Sequence, residues 1–152
     1  MLLLGGAMTV RARSDAHGLR SSDRSGSTGR SDHVDWSAYA TAYDLMSENN
    51  PAYQALLRSF GEFLETMEPP RLIYDIGGGT GNYTELAARM FPDSEIRFVE
   101  PDKGMLGLTR TKTAHYDNIS YDGRRFDEIE LPGTADLVIC VHALYAMPQQ
   151  AE

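Results

Sequence analysis

A chain of 152 residues, 41% hydrophobic and 24% charged, has the length and composition of one globular domain, which excludes collagen-like, disulfide-rich and coiled-coil architectures. No window approaches the roughly 18 to 20 consecutive apolar residues of a membrane span, so a soluble protein without a membrane partner is expected. The net charge of −8 is uneven, +2 over residues 1–34 and −10 over residues 35–152; an acidic body repels phosphate backbones and disfavours nucleic acid as a partner.

Residues 1–34 are rich in Ser, Gly, Arg and Asp and have no apolar period, which predicts a disordered tail. From residue 35 a helical cap is expected up to residue 68. Trp36, Tyr39, Ala40, Tyr43, Leu45 and Met46 recur at roughly helical spacing, and a second helix begins where Asn50 can cap a chain with Pro51 at its first position. Its apolar face reads Tyr53, Leu56, Leu57, Phe60, Phe63, Leu64 and Met67, and Pro69 and Pro70 stop it. Leu72–Ile76 then reads as a short buried strand ending in a run of glycines. A helical face (Leu86, Ala87, Met90, Phe91), a strand over 96–100, a helix over 101–114, a strand over 119–121 and an apolar strand over 135–141 follow. Alternating strands and helices predict an α/β fold, a Rossmann-like parallel sheet covered by helices in three layers. Cys140, the single cysteine, lies in the last apolar run, so a buried reduced thiol and a reducing, cytoplasmic location are expected.

Chemistry concentrates in Asp75-Ile76-Gly77-Gly78-Gly79-Thr80-Gly81-Asn82-Tyr83, directly after a strand and directly before a helix. Glycines serve where the chain turns through positive φ and where no side chain can stand between the backbone and a ligand. A phosphate-binding P-loop needs Gly-Lys-Ser or Gly-Lys-Thr, and no lysine is present. A dinucleotide fingerprint fits Gly77 and Gly79 but meets Asn82 where a small residue is required, and it sets Asp75 beside a pyrophosphate. A cationic ligand reverses that electrostatic argument, since a carboxylate at the strand end attracts an ammonium or a sulfonium. Glu100 follows Gly77 by 23 residues at the end of the next strand, where an acid can accept hydrogen bonds from ribose hydroxyls in either nucleoside family.

These residues resemble the first motif of the class I S-adenosylmethionine-dependent methyltransferases, D/E-x-G-x-G-x-G, with Asp75, Gly77, Gly79 and Gly81 in its four positions. The resemblance, which covers residues 36–148, implies S-adenosylmethionine as cofactor. In it the loop including Gly78 wraps the methionine portion, Asp75 faces its amino group, Glu100 takes the ribose, and Pro101, Asp102 and Met105 flank the adenine. For Met105, packing in the helix core is the rival reading. Tyr43, in the segment Tyr39-Ala40-x-x-Tyr43-Asp44, matches an aromatic that many relatives place over the cofactor, where its ring could attract a sulfonium; core packing is again the rival. The Gly-Asp-Ala found after the third strand of many relatives is replaced by Gly123-Arg124-Arg125-Phe126-Asp127, leaving Asp122 and Asp127 as substitutes for its aspartate. His142 stands where the family lines the channel to the methyl group, as a general base or, more modestly, as a residue shaping the pocket or capping the strand.

The expected activity is methyl transfer to a small-molecule acceptor, with no metal. The alternatives are a noncatalytic cofactor-binding or interaction module and an NAD-dependent oxidoreductase. The family sheet is longer than four strands, so residues 35–152 are expected to be the N-terminal part of a methyltransferase domain, apparently truncated after the fourth strand. The apolar edge over 137–141 would then need a cover, either a second polypeptide or another copy of the chain.

Overall fold

The computed structural model describes residues 36–130 and 134–143. The tail over 1–34 and the segment after Ala143 lie outside the described residues. Two helices come first, α1 (Trp36–Asn49) and α2 (Pro51–Glu65), followed by β1 (Leu72–Ile76), α3 (Asn82–Met90), β2 (Glu95–Val99), α4 (Lys103–Lys112), β3 (Ile119–Asp122), a 3₁₀ turn at Phe126–Glu128 and β4 (Leu137–Ile139). The start of α2 is as its sequence predicts: the Asn50 side chain accepts from the backbone N–H of Ala52 and Tyr53, at 3.0 and 3.2 Å. Two of the donors orphaned by the first helical turn are satisfied in this way.

The four strands form one parallel sheet in the order β3-β2-β1-β4. Because β1 lies inside the sheet, four of its five residues are buried, the near-continuous apolar pattern that parallel strands require. On one face Ile73, Ile96, Phe98, Ile119 and Ile139 form the main core with Tyr53 and Leu64 of α2 and Tyr83, Ala87 and Ala88 of α3. Tyr43 of α1 and Leu106 of α4 pack against the same cluster. Full burial of side chains such as Ile73, Ile96 and Phe98 contributes about 1.5 to 3 kcal/mol each. The opposite face carries Tyr74, Ile76 and Val99, against which Leu72, Ile129, Ala135 and Cys140 pack. Among the described residues, then, helices cover one face, while on the other Ile129 and Ala135 of the segment leading into β4 pack beside Cys140 and Val138 is exposed, so the third, helical layer expected there does not fall among them.

The last strand is shorter than its apolar run predicts. Just before it, the Asp136 side chain caps the start of β1, accepting from the backbone N–H of Arg71 and Leu72 at 2.9 and 3.0 Å, while its own N–H donates to the Leu72 carbonyl at 3.0 Å. The strand itself ends at Ile139, and three residues later His142 adopts a left-handed φ of +56°. Cys140, expected to be a buried thiol, falls just beyond the strand and is half-buried. Burial and the charge of Asp75 both push its thiol pKa upward. Among the described residues β4 pairs only with β1, and of its three residues only Val138 is exposed.

No helix among the described residues is long and apolar enough to cross a membrane.

Candidate functional site

The carboxyl end of β1 opens into the glycine loop, beside β2, where the sheet's connections diverge to either side of β1. Such a crevice at the strand ends is where ligands bind in open α/β sheets. Gly77, Gly79 and Gly81 have φ of +66°, +58° and +77°. The loop is held down by the Val99 carbonyl, which accepts from the N–H of Gly77 at 2.8 Å. At Gly78 the constraint is space, because a Cβ there would lie 2.2 Å from Cε2 of Phe98. Gly79 is the opposite case: a Cβ would meet nothing within 4 Å, so this residue faces open volume.

Two carboxylates flank the loop. Asp75 is 1% exposed and accepts from the Thr84 hydroxyl in the first turn of α3. Burial pushes its pKa up to about 7; the Thr84 hydrogen bond opposes this and the charge of Glu100 adds to it. Glu100 stands one residue past β2, 8% exposed. It accepts from the backbone N–H of Gly79 through Oε2 at 3.0 Å and from that of Asp102 through Oε1 at 2.9 Å. Its pKa is raised by burial, which those two N–H donors partly offset. Glu100 is thus bonded directly to the loop through Gly79, and Asp75 is held by Thr84 of the helix into which the loop leads.

The remaining sequence candidates lie around it. Tyr43 packs edge-on against Tyr39 and Tyr53, with ring centroids 5.9 and 6.2 Å apart. Tyr53 in turn meets the Tyr83 ring edge-on and accepts from the Asn82 side chain at 3.1 Å. Tyr43 therefore approaches the loop through the core, in keeping with its packing reading. Pro101 is exposed, and Met105 is 4% exposed in the first turn of α4, a burial that packing alone would produce. Asp122 is engaged by the Arg124 guanidinium and Asp127 by that of Arg125; the arginines hold both carboxyls below the usual range. His142 is exposed.

Several polar residues of the site were invisible to sequence reasoning. Thr84 carries no motif signal, yet it holds Asp75. Thr80 is buried, with its hydroxyl unpartnered among the described residues. Asn82 of α3 joins all four helices: its amide nitrogen donates to Tyr53 of α2 and Ser47 of α1, and its carbonyl accepts from Lys112 of α4 at 2.7 Å. Lys112 also pairs with Asp44 of α1 at 2.9 Å, while the other Asp44 oxygen is buried and unpartnered. These contacts tie α1, the start of α3 and the end of α4 together beside the loop. The only sequence trace of them is helical spacing on Asp44 and Lys112, and spacing does not say which partner a side chain meets.

The comparisons with known proteins bear on the family and the fold. Trans-aconitate 2-methyltransferase of Yersinia pestis (strain Pestoides F) is 35% identical over 57 residues, which is 38% of this chain and 22% of that protein. The match thus spans about a fifth of the length of this curated relative. Among solved structures, a Methanococcus maripaludis protein assigned as an S-adenosyl-L-methionine-dependent methyltransferase superposes with a TM-score of 0.62 at 18% identity, covering 81% of this chain and 57% of that one. The N-methyltransferase NodS of Bradyrhizobium japonicum, solved with S-adenosyl-L-homocysteine, gives 0.53 at 16% identity over 59% and 45%. At such identities the structures bear on the fold alone. The sequence profile described as a methyltransferase domain matches residues 73–152, just over half of the chain, including the glycine loop and all of the sheet but Leu72, and the chain belongs to that family.

Proposed function

We propose that the loop over 77–81 binds S-adenosylmethionine and that the domain directs its methyl group to a small-molecule acceptor. The observation that carries this reading is the pair of buried carboxylates, Asp75 and Glu100, on either side of a glycine that opens onto free volume. Two negative groups in low dielectric repel a pyrophosphate and attract an ammonium, which favours this ligand over a dinucleotide. The residues fit it: Gly79 leaves room for a chain to pass, and Thr80 has a buried hydroxyl with hydrogen-bonding capacity to spare.

When bound, the cofactor would supply an electrophilic methyl on a sulfonium, whose C–S bond breaks to release a neutral thioether as the leaving group. What the chain provides is alignment. Asp75 in its ionised form would face the amino group, and Glu100 has lone pairs left for ribose hydroxyls after accepting from Gly79 and Asp102. Tyr43, the other loop glycines, Pro101 and Met105 complete the proposed surroundings. Effective molarities of well-oriented groups correspond to roughly 7 to 11 kcal/mol of barrier, so a site that does little beyond orienting can still accelerate the transfer.

The test is calorimetric titration of the chain with S-adenosylmethionine, S-adenosylhomocysteine and NAD, repeated on Glu100→Gln. The expected result is binding of the first two, weakened at least tenfold by the substitution, because a hydrogen bond to a charged group contributes about 1.5 to 3 kcal/mol. Binding of NAD alone would overturn the reading. Transfer of a labelled methyl group separates an enzyme from a binding module, and trans-aconitate, named for the relative, is the first acceptor to assay.

A further inference from the structure

We propose that Thr109 is a positioning residue for the cofactor loop, seating the glycines through its hydroxyl and its methyl at once; this rests on the reading that the loop holds S-adenosylmethionine. Thr109 lies in the middle of α4 and is fully buried. Its hydroxyl donates to the Gly79 carbonyl at 2.8 Å, across 30 residues of sequence. A threonine inside a helix ordinarily bonds the carbonyl four residues back. Two neighbours in the same stretch do so, Thr111 to Gly107 at 3.0 Å and Thr113 to Thr109 at 2.6 Å. Thr109 departs from that pattern, and what it gains is the loop.

The Gly79 peptides are gripped from both sides: the N–H is given to Glu100 and the carbonyl accepts from Thr109. A glycine at φ +58° has little intrinsic preference for one orientation, so these two bonds set it. The methyl of Thr109 performs a second task. A Cβ on Gly81 would lie 2.5 Å from it, so the side chain occupies the volume that only glycine leaves free at φ +77°. Gly81 precedes the first turn of α3, and that turn carries Thr84, the partner of Asp75. One side chain therefore underlies the route to both carboxylates.

Thr109→Val keeps the methyl volume and deletes the hydroxyl, Thr109→Ser keeps the hydroxyl, and Thr111→Val is the matched control on the exposed side of the helix. The measurements are the dissociation constant for S-adenosylhomocysteine and the Tm of the ligand-free protein. Thr109→Val is expected to weaken binding about tenfold, Thr109→Ser, which loses only the methyl packing under Gly81, by about threefold, and Thr111→Val to be unchanged. Should Thr109→Val fail to fold, Thr109→Ala replaces it, since alanine favours the helix and adds no volume against Gly81. Unchanged affinity in the hydroxyl-free variant, or a loss that follows Tm and is not rescued by serine, overturns the proposal. Failure of the wild type to bind S-adenosylhomocysteine refutes the cofactor reading itself, and this inference with it.

Discussion

Replacing Asp75 by asparagine probes the central electrostatic feature directly, in the ligand-free protein. The carboxyl is fully buried and its pKa stands at about 7, against 3.8 for the free side chain. Because the folded state holds the proton more tightly than the unfolded chain does, stability is greatest below pH 4 for this group. It is lost as the pH rises towards 7 and stays at the lower level above it. Three pKa units correspond to about 4 kcal/mol across the whole window, and about 3 kcal/mol of that falls between pH 5 and pH 8. Asparagine keeps an acceptor for the Thr84 hydroxyl and does not ionise. Its advantage over the wild type should therefore grow by about 3 kcal/mol from pH 5 to pH 8, whatever its cost at either end. Urea unfolding of both proteins at the two pH values measures this, with m-values confirming that the same transition is compared. A stability difference that is the same at both pH values would show that Asp75 ionises normally, and the argument for a poised carboxylate would fail.

Three further outcomes are expected. A cationic ligand that pairs with ionised Asp75 must displace its proton below pH 7, so S-adenosylhomocysteine affinity should rise up to tenfold per pH unit from pH 5 to 7 and level off above; a flat profile in the wild type would place the ligand's amino group elsewhere. Gly78→Ala puts a methyl group inside the Phe98 ring contact and should lower stability by about 1 to 3 kcal/mol, which thermal unfolding would detect; an unchanged Tm would mean the loop yields there. Lys112→Met removes the cation shared by Asp44 and Asn82 and leaves an Asp44 carboxylate with one oxygen already unpartnered. A loss of about 1 to 3 kcal/mol is expected, and Asp44→Asn in the same background should restore part of it; no rescue would mean that the pair does not hold α1.

The sequence by itself determined the order of elements, the parallel sheet and the place of the loop. These follow from local rules: the Asn50-Pro51 start of α2, the apolar runs over 72–76 and 96–99, and glycines at three positions that turn out to have positive φ. The candidate carboxylates Asp75 and Glu100 were legible for the same reason, since each lies within a residue of the carboxyl end of a strand that the apolar pattern marks. Only the tertiary structure decided what holds them. The bonds from Thr84 to Asp75, from Gly79 to Glu100, from Thr109 to Gly79 and from Lys112 to Asp44 and Asn82 join residues that are 9, 21, 30, 68 and 30 positions apart. No period of 2 or 3.6 reports such partners, because hydrogen bonding depends on where two backbones have already been brought. The length of β4 was decided in the same way: an apolar run sets the propensity of a strand, but pairing with β1 extends only over Leu137–Ile139.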